Sequence, residues 1–459
     1  MAGTTDRRAA VALFALPFQG NLSPMLQLAG ALHARGLAVT VLHAAAFDAP
    51  DPARHRHPAG LALVPVPVAV PDEATDDGVA KTFALNAAME ASGCARDALA
   101  SLLKPDSEEG APRLACVVVD AALPAAHVAA ADLGLPRLVL NTGSAACLRM
   151  FRSYDMLYRK GYLPSTECNL DLPVKELPPL KVRDLWDPSK LPNKESVQKT
   201  MDMWIQTKTN SGDIINTFEA LEGRELETIQ DELGITAFAV GPLHKLSYID
   251  AVETSLLEED RTCIEWLNKQ APSSVLYVSF GSVANVTQDE FVEIAWGLAN
   301  SGKPFLWVVR HDLVLGVDKL ELPKGFECAV DGRGKVVEWA PQKEVLAHPA
   351  VGGFWTHSGW NSTLESIYEG VPMLSRPIVG DQLVNGRYVK DVWKIGFLLG
   401  GVMEQGKIER AIKRLMEEKD GIEARERAND LKQKTLMCLK SNGSSQQAVD
   451  RLVDHMLSL

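Results

Sequence analysis

The stretch "VGGFWTHSGWNSTLESIYEGVPMLSRPI", residues 351–378, decides the fold. "VGGFWTHSG" reads as a short apolar strand running into a loop, and "NSTLESIYEG" reads as a helix. "VPMLSRPI" is a second buried-strand run. Strand, loop, helix and strand in that order make a βαβ unit, which belongs in a parallel sheet with helices on its faces. At the loop, "THSGWNST" places His357, Gly359, Asn361 and Ser362 between the strand and the helix. Backbone N–H groups and the positive end of the helix dipole converge there, forming an anion site suited to a diphosphate.

The same alternation extends outward over the whole chain. Before it come "SSVLYVSFGS" (273–282), a strand entering a Gly/Ser turn, the helix "DEFVEIAWGLANSG" and the strands "PFLWVVR" and "GKVVEWAP". The first half repeats the rhythm with "VALFALP", a helical "PMLQLAGALHARG" and "AVTVLH". It continues with "LACVVVD" (114–120), "PRLVLNT" (136–142) and "DIINTF" (213–218). The expected class is α/β, with two similar doubly wound domains. The expected boundaries are 1–240 for the first domain, 241–260 for a polar, acidic linker, 261–440 for the second domain and 441–459 for an amphipathic closing helix. Residues 160–200 break the rhythm with several prolines and read as a long surface excursion.

Composition narrows the function classes. At 459 residues, two domains are expected. Hydrophobic residues at 46% and charged residues at 23% are ordinary for a soluble globular protein. A net charge of −12 argues against a nucleic-acid or membrane-surface partner, since both want a basic face. Seven cysteines, an odd number with no CxxC pair, fit a reduced, cytoplasmic protein, expected to be a monomer. Arg7 and Arg8 before the apolar 9–17 imitate a signal peptide, but no small-residue cleavage site follows, so this run is read as a buried first strand. His55 and His57 are expected to be solvated.

"GLANSGKP" (297–304) matches a phosphate-binding loop only until Pro304, and its element order is reversed, helix first. "PFQGNLSPML" (17–26) lacks the G-x-G-x-x-G pattern that a nicotinamide-dependent enzyme should show after its first strand. No second ligand stands at metal spacing from His357, so no metal is expected. In residues 339–382, Trp339 offers a flat face to a base. Glu365, one turn beyond Asn361, could accept from ribose hydroxyls, and Asp381 with Gln382 could read sugar hydroxyls. On these grounds alone, tryptophans as core and glycines as turns remain an equal reading.

The segment "WAPQKEVLAHPAVGGFWTHSGWNSTLESIYEGVPMLSRPIVGDQ" spans 44 residues from Trp339 to Gln382. It resembles the C-terminal signature box of the plant UDP-dependent glycosyltransferases that act on small molecules, and the likeness runs essentially end to end. "GSAACLRM", "GYLP", "AVGPLHKLS" and "SVLYVSFGS" resemble the subgroup containing the grass benzoxazinoid glucosyltransferases and the cytokinin and steviol-type enzymes. The resemblance implies a GT-B fold, two facing Rossmann-like domains with the site in the cleft between them, and UDP-glucose as co-substrate without a further cofactor. It implies that Trp339 stacks on uracil, Gln342 reads its polar edge and Glu365 holds the ribose. Ser282, His357, Asn361 and Ser362 would hold the diphosphate, and Trp360, Asp381 and Gln382 the sugar. Thr142 would lie near sugar and phosphate. Ser358 stands where the family usually has Cys.

The acceptor would be a small lipophilic molecule, lined by loops at 70–90 and 160–200 and the helix at 141–158. In the family the loop after the first strand reads Q-G-H, and its His is the catalytic base, oriented by an Asp at the end of a later strand. Asp120 stands at that Asp position, but position 21 is Asn. An amide can hydrogen-bond both Asp120 and an acceptor, yet it cannot accept a proton at useful pH. Three readings follow. Asn21 is a change made to trap an acceptor complex, or the acceptor needs little help, as a carboxylate or easily ionised hydroxyl would. In the third, the protein is a non-catalytic binder of a sugar nucleotide or small ligand.

Overall fold

The computed structural model describes residues 9–45, 60–70, 78–103, 113–190, 195, 198, 211–246, 258–282, 284–314, 316–317 and 320–459. By its contacts the chain divides into two units. Met1–Arg159, Asp187–Leu256 and Met437–Leu459 form the first, and Lys160–Trp186 with Leu257–Leu436 form the second. The segment Lys160–Trp186 thus groups with the second unit, whereas the expected boundaries placed it with the first. It is also more than a surface excursion. Leu163, Val174, Leu177, Leu180 and Val182 in it are buried. Its apolar residues lack a period because they anchor irregular backbone rather than one face of a helix or strand.

Among the described residues the first unit holds a seven-stranded parallel sheet in the order β3-β2-β1-β4-β5-β6-β7. The strands are β1 (Ala10–Ala15), β2 (Ala38–Ala45), β3 (Leu61–Pro67), β4 (Leu114–Asp120), β5 (Arg137–Asn141), β6 (Asp213–Ile215) and β7 (Ala237–Ala239). β1, "AVALFA", is apolar throughout because it is covered on both faces, and it takes the centre beside β4. β3 carries Pro65 and Pro67 and so lies at the edge, where a missing N–H breaks no ladder. The closing helix Ser444–Ser458 lays Val449, Leu452 and Met456 into the core cluster that contains Val11, Leu13 and Leu28. Each such fully buried side chain stabilises by roughly 1.5–3 kcal/mol.

The second unit repeats the plan with six parallel strands in the order β10-β9-β8-β11-β12-β13. These are β8 (Val275–Ser279), β9 (Phe305–Val308), β10 (Gly334–Val337), β11 (Val351–Thr356), β12 (Met373–Ser375) and β13 (Gly396–Leu398). Its core is aromatic: Phe280 meets Trp355 edge-on, with ring centroids 5.6 Å apart. The helix Gln288–Ser301 opens on a Thr287/Glu290 capping box and stops at Gly302, whose φ is 70°. Gly302 and Lys303 therefore end a helix, which disposes of the phosphate-loop match.

Three local expectations change. The first helix starts at Gln19 rather than near Pro24, so position 21 lies in its first turn and not on a loop tip. The described part of the loop expected at 70–90 falls from residue 78 onward in the helix Gly78–Ser92. The helix expected at 141–158 is two, Ala145–Arg152 and Tyr154–Arg159, the first capped by the Ser144 hydroxyl. His55, His57, the 71–77 part of the acceptor loop, most of 191–210 and linker residues 247–257 lie outside the described residues. No described helix is long and apolar enough to cross a membrane.

Candidate active site

In each unit the strand order reverses between its first and fourth strands, opening a crevice at their carboxyl ends. In the first unit these are β1 and β4. Asn21 follows β1, Asp120 ends β4, and Thr142 directly follows β5. Asn21 Nδ2 donates to Asp120 Oδ2 at 3.1 Å and Oδ1 at 3.3 Å, and to Thr142 Oγ1 at 3.3 Å. Asp120 Oδ1 also accepts the Ala122 N–H at 2.8 Å. Asp120 is fully buried, and burial pushes its carboxyl up to about 6 against the opposing pull of the Ala122 and Asn21 hydrogen bonds. The predicted pair is therefore assembled. Thr142, expected near sugar and phosphate, accepts from Asn21 in the first unit, while the other donor-side candidates lie in the second.

In the second unit the reversal falls between β8 and β11. Gly281 and Ser282 follow β8, and His357 to Gly359 follow β11. A Cβ on Gly281 would stand 2.6 Å from the His357 ring, and one on Gly359 would also collide with it. The imidazole is thus sandwiched where only glycine allows it, and Gly281 additionally has φ +71°. Burial, then the Arg310 guanidinium, push His357 down to about 4, so the ring is neutral near pH 7. Arg310 is itself buried and ties down the Ser282 loop, donating to the Gly281 carbonyl and, at 3.0 Å, to the Ala284 carbonyl. Beyond Gly359 the helix Trp360–Glu369 begins with no acidic residue in its first turn. The result is a neutral imidazole at a helix N-terminus, a combination that favours an anion, while the Arg310 guanidinium is already paired with Asp312 Oδ1 at 2.9 Å.

Behind this helix end lies a polar network. Gln342 Nε2 donates to Ser362 Oγ at 2.9 Å and Glu365 Oε2 at 2.7 Å, while Tyr277 Oη donates to Gln342 Oε1 at 3.3 Å. Trp339, two residues past β10, is partly exposed and accepts the Asp260 N–H on its carbonyl at 2.9 Å. Asp381 accepts from Asn385 Nδ2 at 2.9 Å and from the Trp360 and Gln382 N–H groups, and burial pushes it up to about 6. Gln382 Oε1 accepts the Ile378 and Val379 N–H groups at 2.9 and 3.1 Å, which leaves its Nε2 as the group able to meet a ligand. The Trp360 ring is buried against Trp393, centroids 6.0 Å apart. Ser358 takes φ 64°, with its carbonyl held by Asn385 Nδ2 at 3.0 Å.

A profile of the family described as "UDP-glucoronosyl and UDP-glucosyl transferase" matches residues 243–425. The chain is 47% identical over 434 residues to DIMBOA UDP-glucosyltransferase BX8 of Zea mays, covering 92% of this chain and 93% of that protein. The chain belongs to this UDP-glycosyltransferase family. Over 458 residues this UDP-glycosyltransferase is also 42% identical to UDP-glycosyltransferase 76B1 of Arabidopsis thaliana, with 99% of each covered. Its fold matches that of Phytolacca americana UGT2 complexed with UDP-2fluoro-glucose and pterostilbene. The TM-score is 0.81 and the identity 28%, over 97% of this chain and 99% of that one. The fold is of the GT-B type, with two Rossmann-like domains.

The UDP-glycosyltransferase's site has supports that the sequence reading missed. Arg310, Tyr277 and Asn385 hold site loops through bonds to partners between 4 and 65 residues away. Only the odd placement of Arg310, a charge closing the buried strand "PFLWVVR", was a signal. Arg387 is another: its buried guanidinium grips Asp184 at 2.8 and 3.0 Å and Asp391 at 2.8 Å, pinning Lys160–Trp186 to the helix Gln382–Asp391. In the first unit, buried Glu222 accepts the Ala145 and Ala146 N–H groups at 2.9 and 3.0 Å, securing the helix that follows Thr142.

Proposed function

We propose that this chain transfers glucose from UDP-glucose to a small lipophilic acceptor with inversion, giving a β-O- or β-N-glucoside from the α-linked donor. The observation that carries the reading is the second unit's switch point. There a neutral His357, sandwiched between Gly281 and Gly359, stands at the N-terminal end of the helix Trp360–Glu369. In this reading His357, Ser282, Asn361 and Ser362 hold the diphosphate, and Trp339, Gln342 and Glu365 hold uracil and ribose. Trp360, Asp381 and Gln382 hold the sugar. Asn21 and Asp120 form the catalytic pair of the acceptor side, with Thr142 beside them. The first unit contributes the acceptor side, and no metal is given a role. All seven cysteines are free, which supports action in a reducing compartment such as the cytoplasm, where we place the chain as a monomer.

The test is titration with UDP-glucose followed by mass-spectrometric search for glucosides over mixed aglycones. Tight binding that Trp339→Ala abolishes, together with new glucosides, is expected. No binding of UDP-glucose would refute the reading. Binding without any transfer would favour a second reading, a non-catalytic sugar-nucleotide binder of the same fold, which the amide at position 21 supports.

A further inference from the structure

The orientation of one amide decides what the site can activate. Both Nδ2 hydrogens of Asn21 are engaged, one by the Asp120 carboxylate at 3.1 Å and one by Thr142 Oγ1 at 3.3 Å. The orientation is fixed by chemistry, because an ionised carboxylate only accepts. Asp120 is buried, and the Ala122 N–H shares its Oδ1. Among the described residues nothing donates to Asn21 Oδ1. The half of the amide left for a substrate is therefore a carbonyl oxygen, an acceptor that takes no proton.

We propose that Asn21 makes this a site for a neutral nitrogen nucleophile carrying an N–H, such as a primary arylamine, so that the product is an N-glucoside. The inference rests on the glucosyl-transfer reading above and names the acceptor class of that same site. A hydroxyl must lose its proton as its oxygen attacks; Asn21 cannot take it, and Asp120 is buried with both oxygens already accepting from Asn21 and the Ala122 N–H. A carboxylate needs no base, but its negative oxygens would face the lone pairs of Oδ1. An amine suits both constraints. Its N–H donates to Asn21 Oδ1, and its lone pair forms the C–N bond at the anomeric carbon. The C–O bond to UDP breaks, and its electron pair leaves on the β-phosphate. The nitrogen gains positive charge as the bond forms, so its hydrogen bond to Oδ1 strengthens in the transition state. The resulting aryl ammonium, a strong acid, then sheds its proton to water.

The test uses three acceptors of one skeleton, p-toluidine, p-cresol and p-toluic acid, with UDP-glucose and the full chain. We expect p-toluidine to be glucosylated at least about tenfold faster than the other two. Asn21→His should raise transfer to p-cresol by about 10²- to 10⁴-fold, and Asn21→Ala, which removes the Oδ1 acceptor, should lower transfer to p-toluidine at least about tenfold. UDP-glucose affinity, measured on each protein, reports folding and an intact donor site. Faster transfer to p-cresol or p-toluic acid by the unaltered chain would overturn the proposal. So would equal gains on cresol and toluidine in Asn21→His, or transfer to none of the three with UDP-glucose bound. Failure to bind UDP-glucose at all refutes the glucosyl-transfer reading instead.

Discussion

The two switch points share one topology and carry opposite chemistry. Both lie between the first and fourth strands of a sheet in the order 3-2-1-4. The first is built around a buried carboxylate, Asp120, that holds a neutral amide. The second is built around a neutral imidazole at a helix N-terminus, its loop tied down by the buried Arg310 guanidinium, which is paired with Asp312. A crevice with a fixed negative charge suits a group that becomes positive during reaction, and one lined by a helix N-terminus and a neutral imidazole suits a diphosphate. The doubly wound plan supplies the crevice, and the few residues past each strand end decide which charge it favours.

That contrast can be broken at several points. The largest effect is expected at the first switch point, where Asn21→His should raise transfer to phenols by about 10²- to 10⁴-fold. Turnover with p-cresol measures it. Next comes the support of the second. Arg387→Ala would strand Asp184 as a buried, unpaired charge and should cost about 3–5 kcal/mol by denaturant melting. Gly359→Ala should displace the His357 ring and weaken UDP-glucose by about tenfold, or ~1.4 kcal/mol, in a calorimetric titration.

A smaller effect concerns the first unit's other buried acid. Burial pushes Glu222 up to about 7 from 4.5, so the folded chain holds this proton more tightly than the unfolded one in that window. The stability it adds is complete below pH 4.5 and is lost as pH rises through about 7. Glu222→Gln should flatten the fall of Tm across that range. The smallest is Ser358→Cys. The Ser358 hydroxyl is buried without a partner, so the less polar thiol should stabilise the fold by up to about 1 kcal/mol and leave donor affinity unchanged.

The strands and the family's signature box were legible because both are local. "AVALFA" and "VGGFWT" are apolar runs whose burial needs no partner to be guessed, and the signature box is contiguous. The start of the first helix was misread because Pro24 suggested a helix opening. In the structure Pro24 lies inside the helix Gln19–His33, which begins five residues earlier. The pairing of Asp184 with Arg387, 203 residues apart, leaves no periodic trace, and neither does Glu222 reaching back to Ala145. Such bonds join irregular backbone to an element elsewhere in the fold, and only the fold brings the partners together. The direction of the Asn21 amide was equally invisible, since it follows from Asp120 and Thr142 standing on the same side of it.

The most direct test of the division between the two switch points is a calorimetric titration of UDP-glucose into the chain, Asn21→His and Gly359→Ala. The account predicts that Asn21→His binds the donor within about twofold of the unaltered chain, whereas Gly359→Ala binds it about tenfold more weakly. Equal losses in the two variants, or a loss in Asn21→His alone, would contradict it.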